Sequence, residues 1–100
     1  MNNLLQPVTI TFEEPVTLDN KTYNELTFTR KMKGKDMIAA DKVIGETMKT
    51  YAICASMAGV PLALFGELNC DDLEAVLLAS APFMPKRAAE AIQKSHQEAV

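Results

Sequence analysis

Hydrophobic and polar residues alternate along the first third of the chain. Val8, Ile10 and Phe12 share one face of an extended segment, and this period of two predicts a half-buried β-strand. A second alternation follows at 26–29, where leucine and phenylalanine alternate with threonines. The pattern predicts that residues 8–30 form one or two β-hairpins.

Two interruptions divide this region. Pro15 has no N–H for a strand ladder, which indicates a bend or an edge position. The sequence Asp19-Asn20-Lys21 predicts a turn, because Asp and Asn tolerate left-handed backbone conformations. An isolated hairpin is only marginally stable in water, so its apolar face requires a covering layer of helices.

Helical spacing replaces the alternation in the next part of the chain. From Asp36 onward, Met37, Ala40 and Ile44 lie close to one face of a predicted helix. Similar patterns continue along the chain, and we predict three or four α-helices between about residues 36 and 84.

A second helical pattern covers residues 46–58. Its hydrophobic residues surround the helix almost completely, which is typical of a buried central helix. We predict that Met48 and Met57 fill the core there, since methionine adapts to irregular gaps. Gly59, followed by Pro61, is typical of a helix end.

Two shorter helical segments follow. Residues 62–65 form a short apolar turn or helix, which Gly66 is expected to close. Asn69 is a good N-cap, and the acidic residues after it favour the first turn of a helix. Pro82 and Pro85 are expected to break that helix.

The predicted fold class is therefore α+β. An N-terminal β-hairpin unit (about 8–30) precedes three or four helices (about 36–84) and a C-terminal tail helix. Residues 1–85 are predicted to form a single domain. Residues 86–100 are alanine-rich among charged residues and are predicted to be an appended helix or a flexible tail.

Composition narrows the possible functions. The chain has 100 residues, of which 48% are hydrophobic, and its net charge is −3, which argues against a dedicated polyanion binder. One histidine and two cysteines leave little for a metal site or a nucleophilic triad. We therefore predict a non-enzymatic binding domain with no catalytic, cofactor-binding or metal-binding residues.

The cysteines and Ser56 are expected to have ordinary structural roles. Cys54 and Cys70 are expected to be free thiols, because no signal peptide precedes them. Ser56 is expected to bond back to a helix carbonyl.

The longest apolar stretch, 51–65, is too short for a membrane helix. The basic run 30–35 could contact phosphate, although most such runs are solvated linkers.

A set of apolar residues near predicted helix breaks could instead bind a partner helix. The alternative is that these residues simply cap the core. The predicted partner-binding set is Met37, Leu62, Leu64, Phe65, Phe83 and Met84.

The order and spacing of several segments carry a family resemblance over about residues 8–84. In sequence order they are Val8-Thr9-Ile10-Thr11-Phe12 with Glu13-Glu14-Pro15-Val16; Leu18-Asp19-Asn20-Lys21 leading to Glu25-Leu26-Thr27-Phe28-Thr29-Arg30; Asp36-Met37 with Ala39-Ala40-Asp41-Lys42; Ala55-Ser56-Met57-Ala58-Gly59-Val60-Pro61; and Leu68 followed by Asp71-Asp72-Leu73. This arrangement resembles the small tail assembly chaperones of contractile-tailed phages and prophages, the E-type or Mu-like group.

The resemblance implies a role in virion morphogenesis without catalysis. Such a protein is expected to bind the tape measure protein and keep it soluble in the host cytoplasm, and to be absent from the mature virion. The resemblance also implies that the chain forms homo-oligomers and binds a frameshifted longer form of itself. Binding to nucleic acid or to a membrane is not expected. Two alternatives remain, a structural tail or head–tail component retained in the particle and a small DNA-binding regulator that uses residues 30–35.

Overall fold

A two-stranded antiparallel hairpin precedes four α-helices in the computed structural model, which describes residues 6–85. The elements are β1 (Val8–Leu18), β2 (Lys21–Phe28), α1 (Gly34–Ala40), α2 (Glu46–Ala58), α3 (Leu62–Glu67) and α4 (Cys70–Ser80), and a 3-10 turn (Ala81–Phe83) ends the series. The α+β prediction is confirmed. The predicted tail, 86–100, lies outside the described residues, so the proposed domain limits stay a prediction.

A tight turn joins the two strands. Leu18 pairs with Lys21, and the two residues between them have positive φ angles, 50° at Asp19 and 66° at Asn20. These angles fit a two-residue type I′ turn, whose twist matches that of the flanking strands. The predicted turn is confirmed, and the region forms one hairpin.

The pairing register shifts in the middle of the hairpin. Thr11 pairs with Glu25 and Val16 pairs with Tyr23, so residues 12–15 of β1 lie opposite a single residue of β2. Phe12 and Val16, on either side of this bulge, are both buried. Pro15 lies within the bulge, where its missing N–H removes no ladder bond, and the predicted bend is confirmed.

A buried carboxylate from α4 holds the bulge. The Glu13 N–H donates to both carboxylate oxygens of Asp72, at 3.0 and 3.1 Å, and the Glu14 N–H donates to Oδ2 at 3.4 Å. The Asp72 N–H in turn donates to Oδ1 of Asn69 at 2.7 Å, which confirms Asn69 as the N-cap. The start of α4 is therefore attached to β1.

This attachment predicts different effects for two adjacent aspartates. Asp72→Ala is expected to lower the free energy of unfolding by about 1–3 kcal/mol, because it leaves part-buried N–H groups without an acceptor. The exposed neighbour Asp71 provides the matched control, and Asp71→Ala is expected to cost only about 0.5 kcal/mol through the helix dipole. Urea denaturation of both variants measures the difference, and equal losses would contradict a bulge-holding role for Asp72.

The helices α2, α3 and α4 cover one face of the hairpin. Phe28 stacks against Phe83 with ring centroids 5.9 Å apart, and Tyr51 of α2 packs against Phe65 of α3 at 5.5 Å. The buried members of the core are Phe12, Val16, Leu26, Phe28, Cys54, Ala55, Met57, Leu64, Phe65, Leu68, Val76, Phe83 and Met84. The covering layer that the marginal hairpin requires is thus present.

The limits of the later helices follow local signals. The predicted segment 46–58 is α2, and it ends at Gly59 with a left-handed φ of 72°, as expected for a C-terminal glycine. The prediction that Gly66 closes α3 is wrong, since α3 continues to Glu67. The Leu68 N–H still donates to the Leu64 carbonyl at 3.2 Å, so the glycine is accommodated inside the helix.

Two predictions about the first helices are also wrong. Met48 is 41% exposed instead of filling the core, whereas Met57 is buried as predicted. Met37, Ala40 and Ile44 do not share a face, because α1 ends at Ala40 and Ile44 lies in the connection to α2. Only Ala40 of these three is buried.

Candidate partner-binding surface

An ion pair fixes α1 against the rest of the fold. Arg30 follows β2 and donates two hydrogen bonds to Asp36 of α1, Nη1 to Oδ2 at 2.8 Å and Nη2 to Oδ1 at 2.9 Å. Oδ1 also accepts from the Ser56 hydroxyl of α2 at 2.5 Å, and Oδ2 accepts from the Lys33 N–H at 2.7 Å. One carboxylate therefore joins the end of β2, α1 and α2.

The electrostatics of this carboxylate match its contacts. The Asp36 side chain is fully buried, whereas that of Arg30 is 26% exposed. The Arg30 guanidinium, with smaller contributions from Ser56 and the Lys33 N–H, holds the pKa of Asp36 well below its ordinary value, although burial acts in the opposite direction. Asp36 is therefore ionised at neutral pH, and its negative charge is matched by Arg30.

Two sequence-based interpretations change with this network. Ser56 donates to Asp36 and does not bond to a helix carbonyl, so that prediction is wrong. Arg30 is engaged in the ion pair, while Lys31, Lys33 and Lys35 are exposed. The basic run is thus partly a structural anchor and partly a solvated surface.

The exposed side of α1 carries large apolar side chains. Four large hydrophobic side chains are exposed there or nearby, and we call them the α1–α2 surface: Met37 (56% exposed), Ile38 (64%), Ile44 (93%) and Met48 (41%). They are all the exposed large hydrophobic residues of the described region, and they lie within residues 37–48. Single exposed hydrophobic residues are ordinary, but a group confined to one helix pair marks a candidate interaction site.

The backbone explains why these side chains point outward. Asp36 and Ala40 lie four residues apart, on the buried side of α1, so Met37 and Ile38 face away from it. A turn follows α1, with the Val43 N–H donating to the Ala40 carbonyl at 3.3 Å. Gly45 then adopts a φ of 100° before α2 begins, a conformation that glycine adopts readily.

Charge is distributed unevenly around this surface. Residues 30–49 contain six basic and three acidic residues, which gives a net charge of +3. Arg30 and Asp36, which form the ion pair, are among them. The other described residues, 6–29 and 50–85, contain one basic and eight acidic residues, a net charge of −7. The exposed apolar side chains therefore lie in a lysine-rich segment of a chain whose other described residues are largely acidic.

The six residues predicted to bind a partner occupy different environments. Met37 is exposed and belongs to the α1–α2 surface, and Leu62 is partly buried against the core. The remaining four, Leu64, Phe65, Phe83 and Met84, are core residues. The structure does not bring the six together on one surface, and their role in partner binding stays a prediction. The predicted set does not include three other exposed residues, Ile38, Ile44 and Met48. A signal for them exists in the sequence, because residues 37–48 place large hydrophobic residues among charged neighbours.

An open groove also runs beside β2. It has a volume of about 450 Å³ and is lined by residues 21–27 of the hairpin together with Ala58 and Val60. Most of its lining residues are polar or charged. None of its polar lining residues is buried, so the groove lacks the convergent buried polar groups of a small-molecule site.

The two cysteines differ in environment. Cys54 is buried and Cys70 is exposed, and both are free thiols, as predicted. Burial raises the pKa of Cys54 to about 11, partly opposed by a hydrogen bond with Ser80. Among residues 6–85, no three His, Cys, Asp or Glu side chains are grouped as metal ligands. No helix within that range has the length and apolar character needed to cross a membrane.

Comparison with protein families gives a match. A family model described as phage tail assembly chaperone proteins, E, or 41 or 14, matches residues 9–85. Comparison with curated proteins and with solved structures gives no match. The matched range includes all four helices, the buried ion pair and the whole α1–α2 surface.

Proposed function

The chain belongs to the phage tail assembly chaperone family, and from this we propose that it binds the tape measure protein and keeps it soluble during tail assembly. The observation that carries the proposal is the family match over residues 9–85. The proposed site of action is the cytoplasm of the bacterial host, with no copy retained in the mature virion. The proposed role involves no catalysis, and self-association or a frameshifted longer form would extend it.

The surface properties of the chain support this proposal. A long helical client with an apolar face needs that face covered until the tail tube surrounds it, and helix-in-groove contacts are a common way to cover one. The α1–α2 surface offers apolar side chains that the fold itself does not bury. Many copies on one client would gain total affinity through multivalency, even if each contact is weak.

The buried acidic groups are consistent with a binding role. Asp36 and Asp72, the buried carboxylates of the described region, each accept several hydrogen bonds from other segments. These bonds account for their burial, because a buried charge requires partners of this kind. Both groups therefore have structural roles.

Co-expression tests the proposal directly. Tape measure fragments produced with the chain are expected to remain in the soluble fraction and to co-purify with it, whereas the same fragments produced alone are expected to aggregate. Fragments that stay insoluble, with no complex recovered, would contradict the proposal. Mass spectrometry of purified particles then separates a chaperone from a retained tail component, because the chaperone is expected to be absent from them.

A further inference from the structure

We propose that the α1–α2 surface is a docking site for an amphipathic helix whose apolar stripe is flanked by acidic residues. The inference deepens the proposed function and rests on it only for the identity of the natural partner, a helical segment of the tape measure protein. The juxtaposition that carries it is the group of exposed apolar side chains within residues 30–49, the basic segment of the described region.

The location of the apolar residues is the first argument. Ile44 is 93% exposed, and Met37 and Ile38 are more than half exposed on a helix whose other side is anchored by Asp36. Leaving such side chains in water is unfavourable, and covering them gains free energy in proportion to the apolar area removed from solvent. Methionine also adapts to varied partner surfaces, which suits a site that takes different turns of one helix.

Charge complementarity is the second argument, and it identifies the occupant. Five lysines lie in the same segment as the exposed apolar residues: Lys31, Lys33, Lys35, Lys42 and Lys49. They would pair with acidic residues that border the apolar stripe of a helix and would favour its approach from solution. The other described residues, 6–29 and 50–85, carry a net charge of −7, which repels the same helix and so disfavours its docking there.

The other possible occupants fit less well. The described part of a second copy has no exposed group of large hydrophobic side chains other than this same surface, and two such surfaces would bring lysines against lysines. Residues 86–100 carry three basic and two acidic residues, so their net charge has the same sign as that of the site. A separate acidic amphipathic helix has neither disadvantage.

Two synthetic helical peptides provide the test. Both carry the same leucine stripe, but one is flanked by glutamates and the other by lysines, and each is labelled for fluorescence anisotropy with the full-length chain. The glutamate peptide is expected to bind about tenfold more tightly at low salt, with the advantage shrinking as salt rises. Equal affinities, or no binding of either peptide, would overturn the proposal.

Variants assign the binding to this surface. Ile44→Asp is expected to weaken the glutamate peptide about tenfold, because it places a like charge in the site. The combined Lys35→Gln and Lys42→Gln change is expected to weaken it about threefold. The matched controls are Ala63→Asp on the exposed side of α3 and Lys21→Gln in the hairpin, and both should bind as the unmodified chain does. Thermal unfolding checks that every variant is folded, and Ile38→Asp repeats the apolar test at a second position.

The remaining outcomes separate this inference from the proposed function. Tape measure fragments that bind equally well to the Ile44→Asp variant would overturn the docking site and leave the chaperone function intact. Binding of the glutamate peptide without any tape measure complex would contradict the chaperone function and leave the docking site intact. Self-association that Ile44→Asp abolishes, measured by sedimentation, would identify a second copy as the occupant and overturn the proposal. A higher peptide affinity in Ile92→Asp would identify residues 86–100 as the occupant and overturn it as well.

Discussion

Asp36→Asn is expected to lower the free energy of unfolding by about 3 kcal/mol, a loss typical of breaking a buried ion pair by removing one partner. The asparagine keeps the size of the side chain but removes the charge that Arg30 and the Ser56 hydroxyl contact. The amide NH₂ of the asparagine is a hydrogen-bond donor. It would face Arg30, the Ser56 hydroxyl or the Lys33 N–H, which are donors themselves. The charge of the Arg30 side chain, which is only 26% exposed, is then left with incomplete compensation.

The same carboxylate gives the stability a defined pH dependence. The pKa of Asp36 is lower in the folded chain than its ordinary value of 3.8, so its stabilising contribution is complete well above that value. The contribution falls as the pH drops below 3.8 towards the lower pKa that Asp36 has in the folded chain. The reason is that the unfolded state then binds the proton more readily than the folded state does. Asp36→Asn is therefore expected to be less sensitive to acid between about pH 5 and 2 than the unmodified chain.

Urea denaturation at pH 7 and at pH 3 measures both effects. The control is Asp41→Asn, an exposed aspartate at the end of the same helix, and its effect is expected to stay within about 0.5 kcal/mol. Similar midpoints for the two variants at pH 7 would contradict the anchoring role of Asp36. So would an unchanged acid sensitivity in Asp36→Asn.

Phe83→Ala is expected to lower the free energy of unfolding by about 3–5 kcal/mol, the usual cost of removing a buried phenylalanine ring. Phe83 is 1% exposed and stacks against Phe28 of β2. Its carbonyl also accepts from the Met32 N–H at 2.8 Å, so the 3-10 turn holds the segment that leads into α1. A loss of this size is a large fraction of the stability of a small domain.

Pro82 provides the control for this change, because it is the exposed neighbour in the same turn. Pro82→Ala is expected to cost less than about 1 kcal/mol, and chemical denaturation compares the two variants. Phe83 was also predicted from the sequence to bind a partner. A Phe83→Ala chain of normal stability that fails to bind tape measure fragments would favour that prediction over the core role.

Sequence reasoning succeeded where the determining interactions are local. The alternation around Ile10, the turn at Asp19 and Asn20, and the N-cap at Asn69 each depend on residues within a few positions. The limits of α2 were predicted for the same reason, since Gly59 provides its own end signal. The α+β arrangement then followed from the need to cover one hairpin face.

The interactions that the sequence did not reveal are distant along the chain. Asp36 meets Ser56 across 20 positions, and Asp72 meets Glu13 across 59, so no spacing rule connects them. The candidate surface was missed for a different reason. A methionine or isoleucine fits a core or an exposed face equally well, and only the early end of α1 at Ala40 places Ile44 outside the helix.

The uneven charge distribution has a colloidal consequence. If the lysine-rich segment 30–49 docks on a client, the other described residues, with their formal charge of −7, stay outside the contact. Neighbouring coated filaments would then present like charges to one another and repel over roughly the 8 Å screening length of physiological salt. Docking through residues 30–49 would thus cover the apolar face of the client and also give each coated client a charge that repels its neighbours.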